Sequence, residues 1–163
     1  MVALTVDFLN LLLAALLVGA MFAVWLIFKP EGLDAAAYVT LQQRGIRALS
    51  KSSAGAGRGG DVKMPILGAI TTMLTFAAAV LARGERVRLI LLLFAAVLFV
   101  VAGFVTRFLN QPMNALVMTW SAQAPPANWT QLRDAWWRWH LVRLGSGLGG
   151  LCLLILAALH SRA

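Results

Sequence analysis

The sequence predicts an all-α membrane protein, a bundle of four transmembrane helices. Of its 163 residues, 61% are hydrophobic and 12% are charged, whereas soluble domains are about 45–50% apolar and about 25% charged. The apolar residues also fall into four blocks that contain no charged side chain. Together these observations exclude a disordered protein, a secreted disulfide scaffold and an ordinary soluble domain.

The four charge-free blocks locate the helices. They are Phe8–Phe28, Pro65–Ala82, Leu89–Thr106 and Leu144–Leu159. A hydrocarbon core of about 30 Å needs roughly 20 helical residues, and backbone polar groups in lipid must be satisfied within the helix. The last block is the shortest, but its helical pattern continues upstream. We therefore predict spans at residues 6–28, 65–82, 89–108 and 138–160, within a single membrane domain of residues 1–163.

Small residues repeat along three of the predicted helices. They are Ala15, Gly19 and Ala23 on the first, Gly68 and Thr72 on the second, and Gly145 and Gly149 on the fourth. Lipid gives helices no hydrophobic reason to associate, so membrane helices pack through small side chains. We expect these stripes to be contact faces of the bundle.

The charge of +8 comes from 14 Lys and Arg against 6 Asp and Glu. Nearly all of the basic residues lie between the apolar blocks, where they contact anionic headgroups and set topology. No basic run with interleaved aromatics stands apart from the membrane, so we expect no nucleic-acid partner. Loops 29–63 and 107–143 carry ten basic residues, against four on the opposite side. The positive-inside rule predicts that the long loops are cytoplasmic and that both termini lie outside.

The first long loop contains a stretch rich in glycine and serine, Ser52–Gly60, whose composition is typical of a flexible linker. Its Gly55, Gly57 and Gly60 satisfy the GxGxxG pattern of dinucleotide-binding turns. That motif functions between a strand and a helix, and neither flanks it here. We interpret the match as accidental.

Polar residues are concentrated between Arg107 and Arg143. Because ionisable side chains at membrane depth are costly, this segment is the predicted functional site. Arg107, Asn110 and Asn114 stand at i, i+3 and i+7, which places them on one face of a helix that continues the third span. Pro112 removes a backbone hydrogen bond, so we expect an interruption of that helix nearby.

A second polar stripe lies on the last helix. Trp136, His140, Arg143 and Gly147 stand at i, i+4, i+7 and i+11, again on one face. If the two stripes face each other, they form a pocket of amides, an imidazole and guanidinium groups, walled by indoles. Each member also has a simpler interpretation, because membrane interfaces are rich in Trp and arginines contact headgroups. With two histidines, one cysteine and six scattered acids, the chain has no pattern of metal ligands.

These residues resemble the anthrone oxygenase family of small four-helix membrane proteins. The likeness rests on Asn110-x-Pro112-x-Asn114, Trp120, Trp129, Leu132-Arg133 and Trp136-x-x-Trp139-His140-x-x-Arg143. Weaker matches are Gly19, Phe22, Gln42–Gln43 and Met64-Pro65.

The resemblance implies a monooxygenase that acts on an anthrone or another enolisable polycyclic aromatic, with no metal, flavin or other cofactor. A base would remove an acidic carbon-bound proton and leave an enolate that can itself reduce dioxygen. The expected catalytic residues are His140 as the base, and Asn110 and Arg143 as donors to the enolate oxygen. The expected contacts to a flat substrate arriving from the bilayer are Asn114, Arg107, Trp120, Trp136 and Trp139.

Two other functions remain open at this stage. One is a non-catalytic binding protein for a quinone or another lipophilic aromatic, which would use the same pocket. The other is a structural accessory subunit, in which Asn110, His140 and Arg143 face outward to dock a partner. Many members of the family are bacterial, so we expect a multi-pass protein of a bacterial inner membrane, with a homo-oligomer also open.

Overall fold

The computed structural model describes residues 1–28, 32–50 and 63–160, and these residues are almost entirely helical. The helices are α1 (Val2–Ile27), α2 (Ala35–Ser50), α3 (Lys63–Leu81), α4 (Arg86–Phe104), α5 (Gln111–Val117) and α6 (Trp129–His160), with a π-helical segment (Val105–Asn110) between α4 and α5. Four stretches are long and apolar enough to cross a membrane: Val2–Ile27, Met64–Leu81, Arg86–Val117 and Trp129–His160. The predicted all-α bundle of four transmembrane helices is confirmed. The predicted linker, Ser52–Gly60, lies outside the described residues.

The four long helices pack in a ring. α1 contacts α3 and α6, α3 contacts α4, and α4 contacts α6. Alanines such as Ala14, Ala78, Ala95 and Ala102 dominate the core, and their small side chains let the helix backbones approach closely. A short turn connects α3 to α4, so these two helices are antiparallel neighbours.

The stripe of small residues on α1 does not face the core. Ala15, Gly19 and Ala23 are all exposed, and nothing lies within 4 Å of the position that a Gly19 Cβ would take. α1 instead buries Asn10, Ala14, Leu17, Val18 and Met21. The expectation for α1 was wrong because nearly every position of this helix is apolar, so spacing alone does not tell the lipid side from the packed side.

On α6, the two predicted glycines behave differently from each other. A Cβ on Gly149 would lie 3.0 Å from Leu98 of α4, whereas Gly145 has nothing within 4 Å. The closest approach is at Gly150, where a Cβ would lie 2.9 Å from the Phe99 ring. α6 therefore meets α4 through Gly149 and Gly150.

α2 lies within the first long loop, residues 29–63, where the charge pattern predicts no helix. Asp34 caps its first turn, since the carboxylate accepts the backbone N–H of Ala37 at 2.7 Å. Gln43 donates its side-chain amide to the carbonyl oxygens of Val117 at 3.0 Å and Trp120 at 2.9 Å. Because carbonyls at a helix C-terminus lack partners within the helix, this amide fastens α2 to the end of α5.

The third membrane helix runs through Pro112 to Val117, beyond the predicted limit at residue 108. Pro112 stands in the first turn of α5, and the π-helical segment directly precedes it. Proline lacks an N–H and its ring clashes with the carbonyl four residues before it. The helix widens at this point, where the backbone N–H of Gln111 donates to the carbonyl oxygen of Thr106, five residues earlier. The expected interruption thus takes the form of a π-helical turn, a feature that is frequent at functional sites.

At the opposite end of the bundle, Arg88 is buried, with 5% of its surface exposed. Its guanidinium binds the carboxylates of Asp7 at 2.5 Å and Glu85 at 3.0 Å. A buried charge needs such partners, so Arg88 does not act as a headgroup contact. Leaving it out of the charge count preserves the asymmetry between the two sides, and the membrane orientation stays a prediction.

Candidate functional site

A cavity of about 530 Å³ opens in the half of the bundle where α1 ends and α3 begins. Its size is within the range of about 300–1,000 Å³ that is usual for small-molecule sites. Most of its wall is apolar and includes Leu17, Met21, Met64, Phe76 and Phe99. The polar part of the wall consists of Gln42, Thr72, Thr106, Arg107, Asn110, Gln111, Asn114 and Arg143, together with Trp136.

The polar stripe of the third membrane helix reaches this cavity. Arg107, Asn110 and Asn114 all line it, as expected from their spacing. Asn110 is almost completely buried, with 1% of its surface exposed. The π-helical turn also brings Thr106 and Gln111 onto the same wall, so five residues between positions 106 and 114 line the cavity on either side of the proline.

Trp136 joins the last helix to this stripe. Its indole N–H donates to Oδ1 of Asn114 at 2.8 Å, and its backbone carbonyl accepts from the amide of Asn110 at 3.1 Å. Its ring stacks on His140, with centroids 5.4 Å apart and an interplanar angle of 11°. The two polar stripes therefore face each other, which is the condition for a shared pocket.

His140 lies behind the cavity wall rather than on it. The imidazole is fully buried and contacts the rings of Trp136 and Trp137. Its Nδ1 atom is 2.7 Å from Nη2 of Arg143. Because a guanidinium can only donate, Nδ1 accepts, and the ring is neutral with its proton on Nε2. Arg143 itself lines the cavity, so its guanidinium separates the imidazole from the cavity.

Oδ1 of Asn110 and Nε2 of His140, two buried polar atoms beside Trp136, have no hydrogen-bond partner in the described part of the chain. One is an acceptor and the other a donor, and both residues contact Trp136. A buried polar group without a partner costs about 1–3 kcal/mol. Such groups are rare in folded proteins. The presence of two together indicates that this end of the cavity is a candidate binding site and does not serve helix packing alone.

Two of the expected substrate contacts are not at the cavity. Neither Trp120 nor Trp139 belongs to its wall, and Trp139 is 38% exposed on the outside of α6. Trp139 misses the cavity because it stands at the edge of the helix face that is centred on Trp136, His140 and Arg143. Of the expected aromatic contacts, the structure brings Trp136 alone to the wall.

Gln42 was not among the predicted site residues. This residue of α2 is buried, with 3% exposure, and lines the cavity beside Ile46. The two adjacent amides have different roles. Gln42 faces the cavity, and Gln43 holds α2 on α5. A pair of amides in a short loop helix is the pattern that points to it. The apolar lining could not be found in this way, because it looks the same in sequence as lipid-facing surface.

The arrangement suits an apolar molecule that carries an anionic oxygen. The described wall holds two guanidinium groups and four amides, and no carboxylate. Such donors in a site of low dielectric stabilise a developing negative charge more strongly than they do in water. Within the described ranges, no three His, Cys, Asp or Glu residues are grouped so that they could hold a metal ion.

Comparison with known proteins adds a family. No curated protein and no solved structure matches the chain. The sequence profile of the family described as anthrone oxygenase matches residues 56–153, more than half of the chain. The matched range includes every polar wall residue from Arg107 to Arg143, whereas the likenesses at Gly19, Phe22 and Gln42–Gln43 fall outside it. With this match over α3, α4, α5 and most of α6, the chain belongs to the anthrone oxygenase family.

Proposed function

We propose that the protein is a membrane oxygenase that converts an enolisable polycyclic aromatic of the anthrone type into the corresponding quinone. The observation that carries the proposal is a largely apolar cavity with Arg107, Asn114 and Arg143 on its polar side. A flat hydrocarbon skeleton suits the apolar wall, and one oxygen atom suits the donors. Family membership supports the same class of reaction.

The first step is removal of a proton from the carbon opposite the carbonyl group of the substrate. Arg143 turns from His140 to the carbonyl oxygen and stabilises the enolate as it forms. This movement frees Nδ1 of His140, to which Arg143 donates at 2.7 Å. The freed imidazole takes the proton. Ligand binding and activation of the base are thus one event.

In the second step the enolate supplies the electrons that dioxygen needs. It transfers one electron to dioxygen, and the two radicals join as a peroxide anion at the deprotonated carbon. The His140 imidazolium then returns its proton to give the hydroperoxide. Loss of water from the hydroperoxide leaves a second carbonyl group. The sum is one CH₂ group and one dioxygen giving one C=O group and one water, so the substrate is the only reductant. The cavity contributes by positioning and by electrostatic stabilisation.

A binding protein for a lipophilic aromatic would use the same cavity without turnover, and measurement of oxygen uptake separates the two functions. The accessory-subunit alternative needs Asn110 and His140 to face outward. Their exposed fractions are 1% and 0%, which disfavours it.

The test is oxygen uptake by the purified protein in lipid nanodiscs supplied with anthrone, with anthraquinone measured as the product. Arg143→Met is expected to lower turnover by roughly 100-fold, the usual cost of losing an oxyanion donor. Arg138→Met is the matched control, because Arg138 is exposed and lies outside the wall. Uptake no faster than in empty nanodiscs would contradict the proposal.

The role of His140 has its own variant. In His140→Gln the side-chain oxygen can still accept from Arg143, but the base is gone. We expect the variant to fold and to lose turnover by about 100-fold or more. Full turnover in His140→Gln would remove the base assignment and leave His140 a positioning residue for Arg143.

A further inference from the structure

The exposed part of the cavity wall is confined to one side of the bundle. The lining residues that are exposed are Ala69, Met73 and Phe76 on α3, Val100 and Gly103 on α4, and Arg107 on the π-helical segment. All other lining residues, on every helix, are buried or half-buried. The cavity therefore has its mouth between α3 and α4.

The two edges of this mouth are regular helix faces. Ala69, Met73 and Phe76 follow at i, i+4 and i+7, and Val100, Gly103 and Arg107 follow at i, i+3 and i+7. Met73 is 70% exposed, Phe76 46% and Val100 51%. Both edges belong to stretches that are long and apolar enough to cross a membrane, Met64–Leu81 and Arg86–Val117. The mouth thus faces lipid, and it is apolar except for Arg107 at one end.

We propose that the site takes its substrate from within the bilayer, through a portal between α3 and α4 whose width is set by Gly103. The substrate class is then a flat, membrane-dissolved aromatic with its oxygen at one edge, which passes the apolar rim while Arg107 meets the oxygen. The chemistry assigned to the substrate rests on the proposed function. The route rests only on where the cavity is open.

Gly103 is the position at which the portal can be narrowed. Nothing lies within 4 Å of the position that its Cβ would take, so a larger side chain fits without disturbing the packing of the helix. In Gly103→Phe the ring would stand in the mouth, which Met73 and Phe76 also line. Gly19→Phe is the matched control, because Gly19 is equally open but lies on α1 away from the cavity wall.

The experiment follows entry of 9,10-anthraquinone into the protein in lipid vesicles by stopped-flow quenching of tryptophan fluorescence. This probe is not consumed, so the readout is independent of oxygen chemistry. We expect Gly103→Phe to slow association and dissociation by roughly tenfold each, because a barrier on the route changes both rates and leaves the dissociation constant within about threefold. Gly103→Ala and Gly19→Phe are expected to keep wild-type rates. Val100→Trp, on the same rim, repeats the test should Gly103→Phe not fold.

Each outcome decides the inference. Slowed entry and exit in the rim variants, with control rates unchanged, supports the portal whether or not anthrone is oxidised. Unchanged rates in Gly103→Phe overturn it, as does a loss of affinity at an unchanged association rate. Failure of the wild-type protein to take up the probe overturns it as well. Oxygen uptake with anthrone, measured separately, decides the proposed function.

Discussion

Replacement of Asn110 by leucine is expected to leave the protein about as stable as before, or to make it more stable, while it lowers turnover about 100-fold. Asn110 is buried and has the same branching as leucine, so the exchange changes polarity more than shape. Its amide donates one hydrogen bond, to the Trp136 carbonyl at 3.1 Å. Its Oδ1 is buried without a partner in the described residues.

The magnitude follows from these two atoms. Loss of the donated bond costs about 0.5–1.5 kcal/mol net, and removal of the orphaned oxygen returns about 1–3 kcal/mol. The balance lies between a loss of about 0.5 kcal/mol and a gain of about 2.5 kcal/mol in the free energy of unfolding, with its centre at a gain of about 1 kcal/mol. Asn10 is the matched control, because it is equally buried and its Oδ1 accepts the Thr75 hydroxyl at 3.1 Å. Asn10→Leu is expected to cost about 1 kcal/mol.

The assay is unfolding in mixed micelles of a mild detergent and dodecyl sulfate, followed by tryptophan fluorescence. Oxygen uptake with anthrone is measured on the same preparations. The two leucine variants should shift stability in opposite directions, and Asn110→Leu alone should lose turnover by about 100-fold. If Asn110→Leu lowers the free energy of unfolding by more than about 1 kcal/mol, the unpaired oxygen does not destabilise the wild-type protein. That result would refute the prediction.

Three further changes test the packing and the polar end of the bundle. Gly150→Leu should destabilise the protein by about 1–3 kcal/mol, because a Cβ there would lie 2.9 Å from the Phe99 ring. Gly145→Leu should leave stability unchanged, since nothing lies within 4 Å of its Cβ position. Thermal unfolding in detergent measures both variants. Burial raises the pKa of Tyr38 from 10 to about 12, so the unfolded chain ionises first and stability should fall between pH 10 and 12; Tyr38→Phe should abolish that fall in pH-dependent unfolding. Gln43→Leu removes both bonds to the end of α5, and hydrogen exchange of the α2 amides should become faster, with the α4 amides as the unchanged reference.

The sequence predicted the membrane bundle and the polar end of the site because both depend on helical spacing. Arg107, Asn110 and Asn114 reach one cavity because residues at i, i+3 and i+7 share a face, and Trp136 and Arg143 meet them from α6 for the same reason. The proline predicted an interruption, but not its form. A π-helical turn, a kink and a broken helix all relieve the same missing hydrogen bond, and packing selects among them.

Other features depended on which apolar surface faces protein, and hydropathy does not contain that information. Gly19 and Gly150 look equivalent as small residues in apolar helices, yet one lies open on the outside and the other contacts Phe99. The cavity mouth at Met73 and Val100 was undetectable for the same reason. His140 lies behind the wall because Arg143 extends past it to the cavity and donates to its ring. Helical spacing does not predict which of the two side chains reaches the cavity.

The most direct test of the central claim is a crystal structure of the protein with anthraquinone bound. We expect the ring system in the cavity between α3, α4 and α6. One carbonyl oxygen should lie within hydrogen-bond distance of the Arg143 guanidinium, which has turned away from His140. A ligand bound elsewhere, or one seated in the cavity with both oxygens in the apolar wall and the contact between Arg143 and His140 intact, would contradict the claim.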